Sequence, residues 1–258
     1  MMKEVLTTDH ISMEFGGLRA VSNLHMQVFP DEIVGLIGPN GAGKTTVFNM
    51  ITGVYTPVEG QIYFNEQNIT GLNPAQIAKL GIARTFQNIR LFNSMTVLEN
   101  VMISKHLRRK TNIIDAVLGL PRYNRERHEH YQECMALLKK VQLDDVANEM
   151  ATSLPYGKQR RLEIVRALAT EPVLLLLDEP AAGMNPNESL ELMEFITRIK
   201  NEFNLTILMI EHHMEVIMGI CKRIYVLDYG INIAEGNPRE IQTDQRVIEA
   251  YLGVDMDA

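Results

Sequence analysis

Gly38-Pro39-Asn40-Gly41-Ala42-Gly43-Lys44-Thr45-Thr46 is the stretch that decides how the rest of this chain is read. Glycines at 38 and 43, followed at once by a lysine and a hydroxyl, have the spacing of a phosphate-binding loop. Its flanks supply the required context, with the apolar run Ile33–Ile37 reading as a buried strand before it and Val47–Ile51 as a helical stretch after it. Glycine lets the backbone bend until successive N–H groups point at phosphate oxygens, and the N-terminus of the following helix adds positive potential. All nine residues are therefore candidates for holding a nucleotide, with Lys44 bridging β and γ oxygens and Thr45 reaching Mg²⁺.

Working outward, Leu174-Leu175-Leu176-Leu177-Asp178-Glu179 reads as a buried strand ending in two carboxylates. An aspartate at the end of a strand beside a phosphate loop is where a Mg²⁺ ligand belongs, and the next residue can hold a water in line with the γ-phosphate. Asp178 is the metal residue on this reading and Glu179 the general base, although either alone also suits a helix cap before Pro180. The runs Ile33–Ile37, Val173–Leu177 and Thr206–Ile210, each followed by a polar or Gly-rich turn and a helix-like stretch, predict parallel strands with helical crossovers. Val5–Phe15, Val21–Phe29 and Gly60–Asn65 alternate apolar with polar residues and predict an antiparallel sheet with one solvated face.

Between about residues 96 and 150 strand signals nearly vanish and helix formers such as Met135–Lys140 take over, which predicts an inserted helical lobe. The tail predicts a strand at Arg223–Asp228, a turn at Tyr229-Gly230, a strand at Ile231–Glu235, a helix led by Pro238 and a last helix ending near Leu252-Gly253. No linker or repeat divides the chain. The expectation is one α/β domain over 1–258, with 1–95 and 151–258 making the nucleotide-binding core and its antiparallel part.

Lys and Arg number 25 against 32 Asp and Glu, a net charge of -7, which lacks the footprint of a nucleic-acid binder. Cys134 and Cys221 have neither paired spacing nor a His pattern that suggests zinc, and no secretory signal precedes them, so a reducing cytoplasm is expected. The longest apolar run, Val173–Leu177, is far short of the roughly 20 residues that cross a bilayer, so membrane work would need a separate spanning subunit.

Leu154-Pro155-Tyr156-Gly157-Lys158-Gln159-Arg160-Arg161-Leu162-Glu163-Ile164, just before a helix and shortly upstream of Asp178, resembles the signature segment of ABC ATPases. Gln87, the run Glu179–Asn185 and His212 after the strand Thr206–Ile210 extend the resemblance over essentially the whole chain. It implies a P-loop NTPase of the ABC cassette type, with a RecA-like core, an antiparallel β-subdomain and an inserted helical subdomain. It also implies ATP and Mg²⁺ as cofactors, hydrolysis as the reaction, and roles for single residues. Phe15 would stack on adenine, Gln87 would sense Mg²⁺ and the transmembrane partner, and His212 would contact the γ-phosphate. On spacing alone, Phe15 also fits a core aromatic, and Gln87 and His212 ordinary loop residues.

The signature departs from the family pattern at Pro155-Tyr156-Gly157, where most members carry Ser followed by two Gly. In the family that hydroxyl and the following helix N-terminus contact the γ-phosphate held by the opposite subunit. Proline supplies neither hydroxyl nor N–H.

The opening Phe15–Val21, the segment Arg84-Thr85-Phe86-Gln87, Ala181-Ala182-Gly183 and the closing Ala250–Gly253 resemble the branch of the family that powers branched-chain amino-acid importers, with urea and short-amide importers as near relatives. That branch implies a heterodimer with a related second ATPase, two membrane-spanning permease subunits, an extracytoplasmic amino-acid-binding protein acting indirectly, and a place at the cytoplasmic face of the membrane. The basic stretches Lys105–Lys110 and Arg122–Arg127 fit solvated helix faces or a surface toward lipid or permease. Leu91 and Phe92 fit either a docking point or the lobe's own core. A soluble ABC ATPase acting on nucleic acid and a P-loop metabolite kinase are the rivals. The first usually carries two cassettes or a long coiled coil, and the second has no use for Tyr156–Gln159 or His212.

Overall fold

The computed structural model describes residues 3–105 and 121–255, the last four of these as backbone only. Most of the basic stretch Lys105–Lys110, and the side chain of Leu252, lie outside what is described. Two compact units result, one made of the chain up to Gln87 and from Val173 onward, the other of Asn88–Pro172.

The first unit holds two sheets. Strands β1 (Leu6–Phe15), β2 (Leu18–Val28), β4 (Glu59–Phe64) and β5 (Gln67–Asn68) form an antiparallel sheet in the order β2-β1-β4-β5. Strands β3 (Ile33–Ile37), β6 (Ile82–Arg84), β7 (Leu174–Asp178), β8 (Thr206–Ile210), β9 (Arg223–Asp228) and β10 (Ile231–Gly236) form the second, in the order β10-β9-β3-β8-β7-β6. Only β10 runs antiparallel there. Every residue of β3, β7 and β8 is buried, as expected of parallel strands covered on both faces, and this is why their sequences read as near-continuous apolar runs, broken only by Thr206 and Asp178 at strand ends. Leu36, Phe48, Leu176 and Leu208 join Leu6, Ile11, Leu24 and Ile62 in one apolar core shared by both sheets.

Helices of this unit are α1 (Lys44–Ile51), α2 (Pro74–Leu80), α6 (Pro186–Glu202), α7 (Met214–Ile220), α8 (Pro238–Thr243) and α9 (Gln245–Asp255). The second unit holds α3 (Val97–Lys105), α4 (Pro121–Lys140) and α5 (Tyr156–Leu168). The helical unit is thus wider than the span 96–150 inferred from composition, for it starts at Asn88 and takes in the signature helix α5 as well. Composition did not show this because the amphipathic pattern of α5 satisfies a core helix and a lobe helix alike. In this unit Lys105, its side chain buried, sits between Glu133 at 2.9 Å and Glu171 at 2.6 Å.

Candidate functional site

Parallel register brings the C-terminal ends of β3, β6, β7 and β8 to one edge, with Asp178 opposite Ile210 and Arg84 opposite Leu176. Ligands of open α/β sheets bind at such an edge. Each of its loops carries residues singled out from sequence.

After β3 the chain turns through Gly38, Gly41 and Gly43, all at positive φ (148°, 80° and 100°). A Cβ on Gly43 would stand 2.5 Å from the Ala20 carbonyl oxygen, and one on Gly38 2.0 Å from that of Leu227, so neither position admits a larger residue without moving backbone. Gly43 is also the N-cap of α1 and offers no side-chain acceptor, which leaves the first-turn N–H groups of that helix directed outward. Lys44 is buried and folds back over the loop, donating from Nζ to the carbonyls of Gly38 (2.7 Å) and Pro39 (2.8 Å). Burial pushes its pKa down, while the charges of Glu179 and Asp178 push it up, so both carboxylates lie close enough to act on the ammonium.

Asp178, buried at the end of β7, pairs through Oδ2 with Arg84 Nη2 at 2.7 Å. Arg84 also donates from Nη1 to Asn49 Oδ1 at 2.7 Å, and its guanidinium lies over the rings of Phe48 and Phe86. Glu179 follows with φ 46°, a left-handed backbone unusual for a residue with a side chain. Its carboxylate is held on both sides, by His212 Nε2 at 2.9 Å from Oε1 and by Gln87 Nε2 at 2.6 Å from Oε2. Three residues from three loops, Gln87, Glu179 and His212, thus meet. Glu211 is buried and accepts from the backbone N–H groups of Ala181, His212 and His213, which fixes the loop after β8, and His213 becomes the N-cap of α7.

Phe15 is 41% exposed and touches Tyr55 edge-on at 5.2 Å between centroids, so it is no core aromatic. In the helical unit Pro155 is the N-cap of α5 with no side-chain hydrogen bond. Gln159 Nε2 donates to the Leu154 carbonyl at 2.8 Å, and Lys158 lies 3.8 Å from Asp145. Tyr156 is exposed, and a Cβ on Gly157 would meet nothing within 4 Å. Phe92 is 42% exposed with the Arg166 guanidinium over its ring, so it neither enters a core nor stands bare. Among the described residues no helix is long and apolar enough to cross a membrane.

Sequence reasoning does not reach the contacts of Arg84 with Asp178 and Asn49; the one local signal is a positive charge at the end of a short apolar segment three residues before Gln87.

A family model described as ABC transporter matches residues 21–182, and the protein named high-affinity branched-chain amino acid transport ATP-binding protein LivG from Escherichia coli (strain K12) is 47% identical over 98% of this chain and 99% of its own length. The chain belongs to the ABC transporter ATPase family. A second model, described as branched-chain amino acid ATP-binding cassette transporter, matches residues 232–257 of this ABC ATPase. BraF of Pseudomonas aeruginosa, named in the same terms as LivG, is 43% identical with the same coverage. A crystal structure titled as the ADP conformation of an ATP-binding cassette of an ABC transporter superposes with a TM-score of 0.85 at 30% identity, covering 97% of this chain and 99% of that one. The α/β P-loop architecture expected for an ABC ATPase is the one observed.

Proposed function

We propose that this ABC ATPase hydrolyses ATP to power an importer of branched-chain amino acids, and that Glu179 is the residue that makes it a hydrolase. The observation that carries the reading is the left-handed Glu179 at the end of β7, held between Gln87 and His212 beside the loop 38–46. Non-glycine residues held in that conformation cost of order 1–3 kcal/mol and gather at functional sites. The substrate class follows from the names of LivG and BraF and from the match over 232–257.

In this reading the amides of 38–46 and Lys44 hold the triphosphate, and Phe15, exposed beside Tyr55, stacks on adenine. Lys44 exchanges two backbone carbonyls for β and γ oxygens. Glu179 exchanges one of its partners for a water, orients it in line with the γ-phosphate and accepts its proton as the new bond to phosphorus forms and the β–γ bridge breaks. His212, the partner released when Glu179 takes up the water, turns to the γ-phosphate before that bridge breaks. Thr45, Asp178 and Gln87 supply a hydroxyl, a carboxylate and an amide, a hard oxygen set that fits Mg²⁺. Bound there, the ion would neutralise charge on the β and γ oxygens.

We further assign the opposite side of each ATP to a second, related ATPase chain, whose signature segment would face this loop as Pro155–Gln159 would face the partner's. Two permease subunits span the membrane, an extracytoplasmic receptor supplies the amino acid, and the chain sits at the cytoplasmic face. In the helical unit a groove of about 770 Å³ lined by Met95, Leu98, Met102 and Tyr131 suits the permease, since a partner must carry the work across the bilayer. Reconstitution with the permease and receptor tests the proposal. Glu179→Gln should bind ATP undiminished, hydrolyse it about 10²–10⁴-fold more slowly, and abolish leucine uptake. Unaltered uptake in that variant removes the catalytic assignment, and uptake of urea in place of leucine removes the substrate.

A further inference from the structure

β1 is not a regular strand. Thr8 pairs with Met26 and Ile11 with Leu24, so three steps on β1 match two on β2, and the same extra residue appears against β4, where Asp9 pairs with Gln61 and Ser12 with Glu59. This is a β-bulge at Asp9-His10, a device that re-aims side chains. In a regular strand neighbours point to opposite faces. Here His10 takes φ 52° and both Asp9 and His10 are exposed. The bulge is built in from the other side too, because Gly60 at φ 79° leaves room for the Asp9 and His10 carbonyls, which a Cβ there would meet at 2.5 and 2.4 Å.

The consequence is a cluster on the outer face of the antiparallel sheet. His25, between the buried Leu24 and Met26 on β2, points to that same face, and its ring stacks on His10 with centroids 5.3 Å apart. His10 Nε2 and His25 Nδ1 lie 3.9 and 4.0 Å from Asp9 Oδ1, and one ligand atom from each of the three residues falls within 4.8 Å of the others. A metal with bonds of about 2.0–2.2 Å sets its ligand atoms roughly 3.0–3.6 Å apart, so closure needs side-chain shifts of under an ångström or so on an exposed face. His10 Nδ1 is 2.9 Å from Asn23 Oδ1. An amide oxygen only accepts, so Nδ1 donates, and in the neutral ring this leaves the lone pair on Nε2. An outer hydrogen bond of this kind is what orients metal-binding histidines.

We propose that Asp9, His10 and His25 form a surface site for a borderline transition-metal dication, zinc being the fitting example. Two imidazoles and one carboxylate suit Zn²⁺, Ni²⁺, Co²⁺ or Cu²⁺ and not Mg²⁺, which prefers oxygen ligands, so the site is chemically separate from that at Asp178. Its remaining positions stay open to water or to a donor from another molecule. Among the described residues no other group of three such side chains comes together.

The test is calorimetric titration of the nucleotide-free, full-length chain with zinc near neutral pH, for wild type, His10→Gly and His25→Gln. Glycine is the residue best suited to φ 52°, so His10→Gly should melt no lower than wild type, which separates loss of a ligand from loss of fold. Wild type should bind one equivalent, and each variant should bind at least about 10-fold more weakly. Absence of saturable binding up to about 1 mM zinc overturns the proposal, as does a full equivalent bound with affinity within about 2-fold of wild type in either variant.

Discussion

Arg84 shows how a single residue couples the acidic pair to the rest of the core. Its side chain and that of Asp178 are 9% and 6% exposed, so their 2.7 Å contact is a buried ion pair whose second guanidinium nitrogen is anchored on Asn49 of α1. Removing one partner of such a pair leaves the other buried and unpaired, at a cost of about 3–5 kcal/mol. Arg84→Met should therefore lower the urea midpoint and weaken the Mg²⁺ dependence of ATP binding, because Asp178 loses its fixed orientation. An unchanged midpoint would mean the carboxylate is solvated in ways this geometry excludes. Pro155 is the opposite case, a residue that acts by what it lacks. As N-cap of α5 it offers no side-chain oxygen. Pro155→Ser should raise turnover of the assembled transporter, since a serine hydroxyl restores a donor where the family places one on the γ-phosphate. Equal turnover of the two forms would show that the helix N-terminus alone suffices.

At the scale of elements, three helices begin with one device. Asn73, Asn185 and Asn237 cap α2, α6 and α8, each followed by Pro and, at the third helical position, by Gln76, Glu188 or Glu240 closing the reciprocal bond. For α6, which follows the loop after Glu179, the two bonds are both 3.0 Å. Asn185→Ala should cost about 0.5–2 kcal/mol, read as a lower midpoint in urea, and a change of sign would show that the cap is strained. The repeated Asn-Pro pattern was open to inspection, as were β3, β7 and β8, whose five-residue apolar runs announced buried strands. The strand β6 was not, because three residues, Ile82-Ala83-Arg84, carry no periodicity of their own and become a strand through long-range pairing with β7. The bulge at Asp9-His10 escaped for a related reason. Alternation over Val5–Phe15 predicts a strand, and one extra residue leaves the average pattern intact while reversing which face follows it. In the candidate site, the loop 38–46 and Asp178-Glu179 stand out in the sequence because the chemistry proposed for them demands fixed spacing. The pairs Arg84–Asp178 and Gln87–Glu179 join residues more than 90 positions apart, which no local pattern encodes.

Across the whole molecule, burial of acidic groups that ionise only in alkali gives stability a definite pH slope. Burial raises the Cys134 thiol from an ordinary 9.0 to about 11 and the Cys221 thiol to about 12, and it raises the Tyr225 and Tyr251 hydroxyls as well. A group whose pKa is higher when folded binds more protons folded than unfolded once pH passes its ordinary value, so its contribution, intact below about 9, declines as pH climbs toward the folded value. By pH 10.5 each thiol would forfeit at most on the order of 2 kcal/mol. Lys44 works against this, because burial holds its pKa below the ordinary 10.5 and the folded state is relieved when it deprotonates. One lysine does not offset two thiols and two phenols, and a chain already at -7 gains further self-repulsion as it loses protons. The urea midpoint should fall steadily between about pH 9 and 10.5, and Cys221→Ala should flatten part of that slope while lowering stability at neutral pH through the lost sulfur packing. Midpoints that hold level to pH 10.5 would mean that both thiols reach water in the folded protein, against their burial in α4 and beside β3.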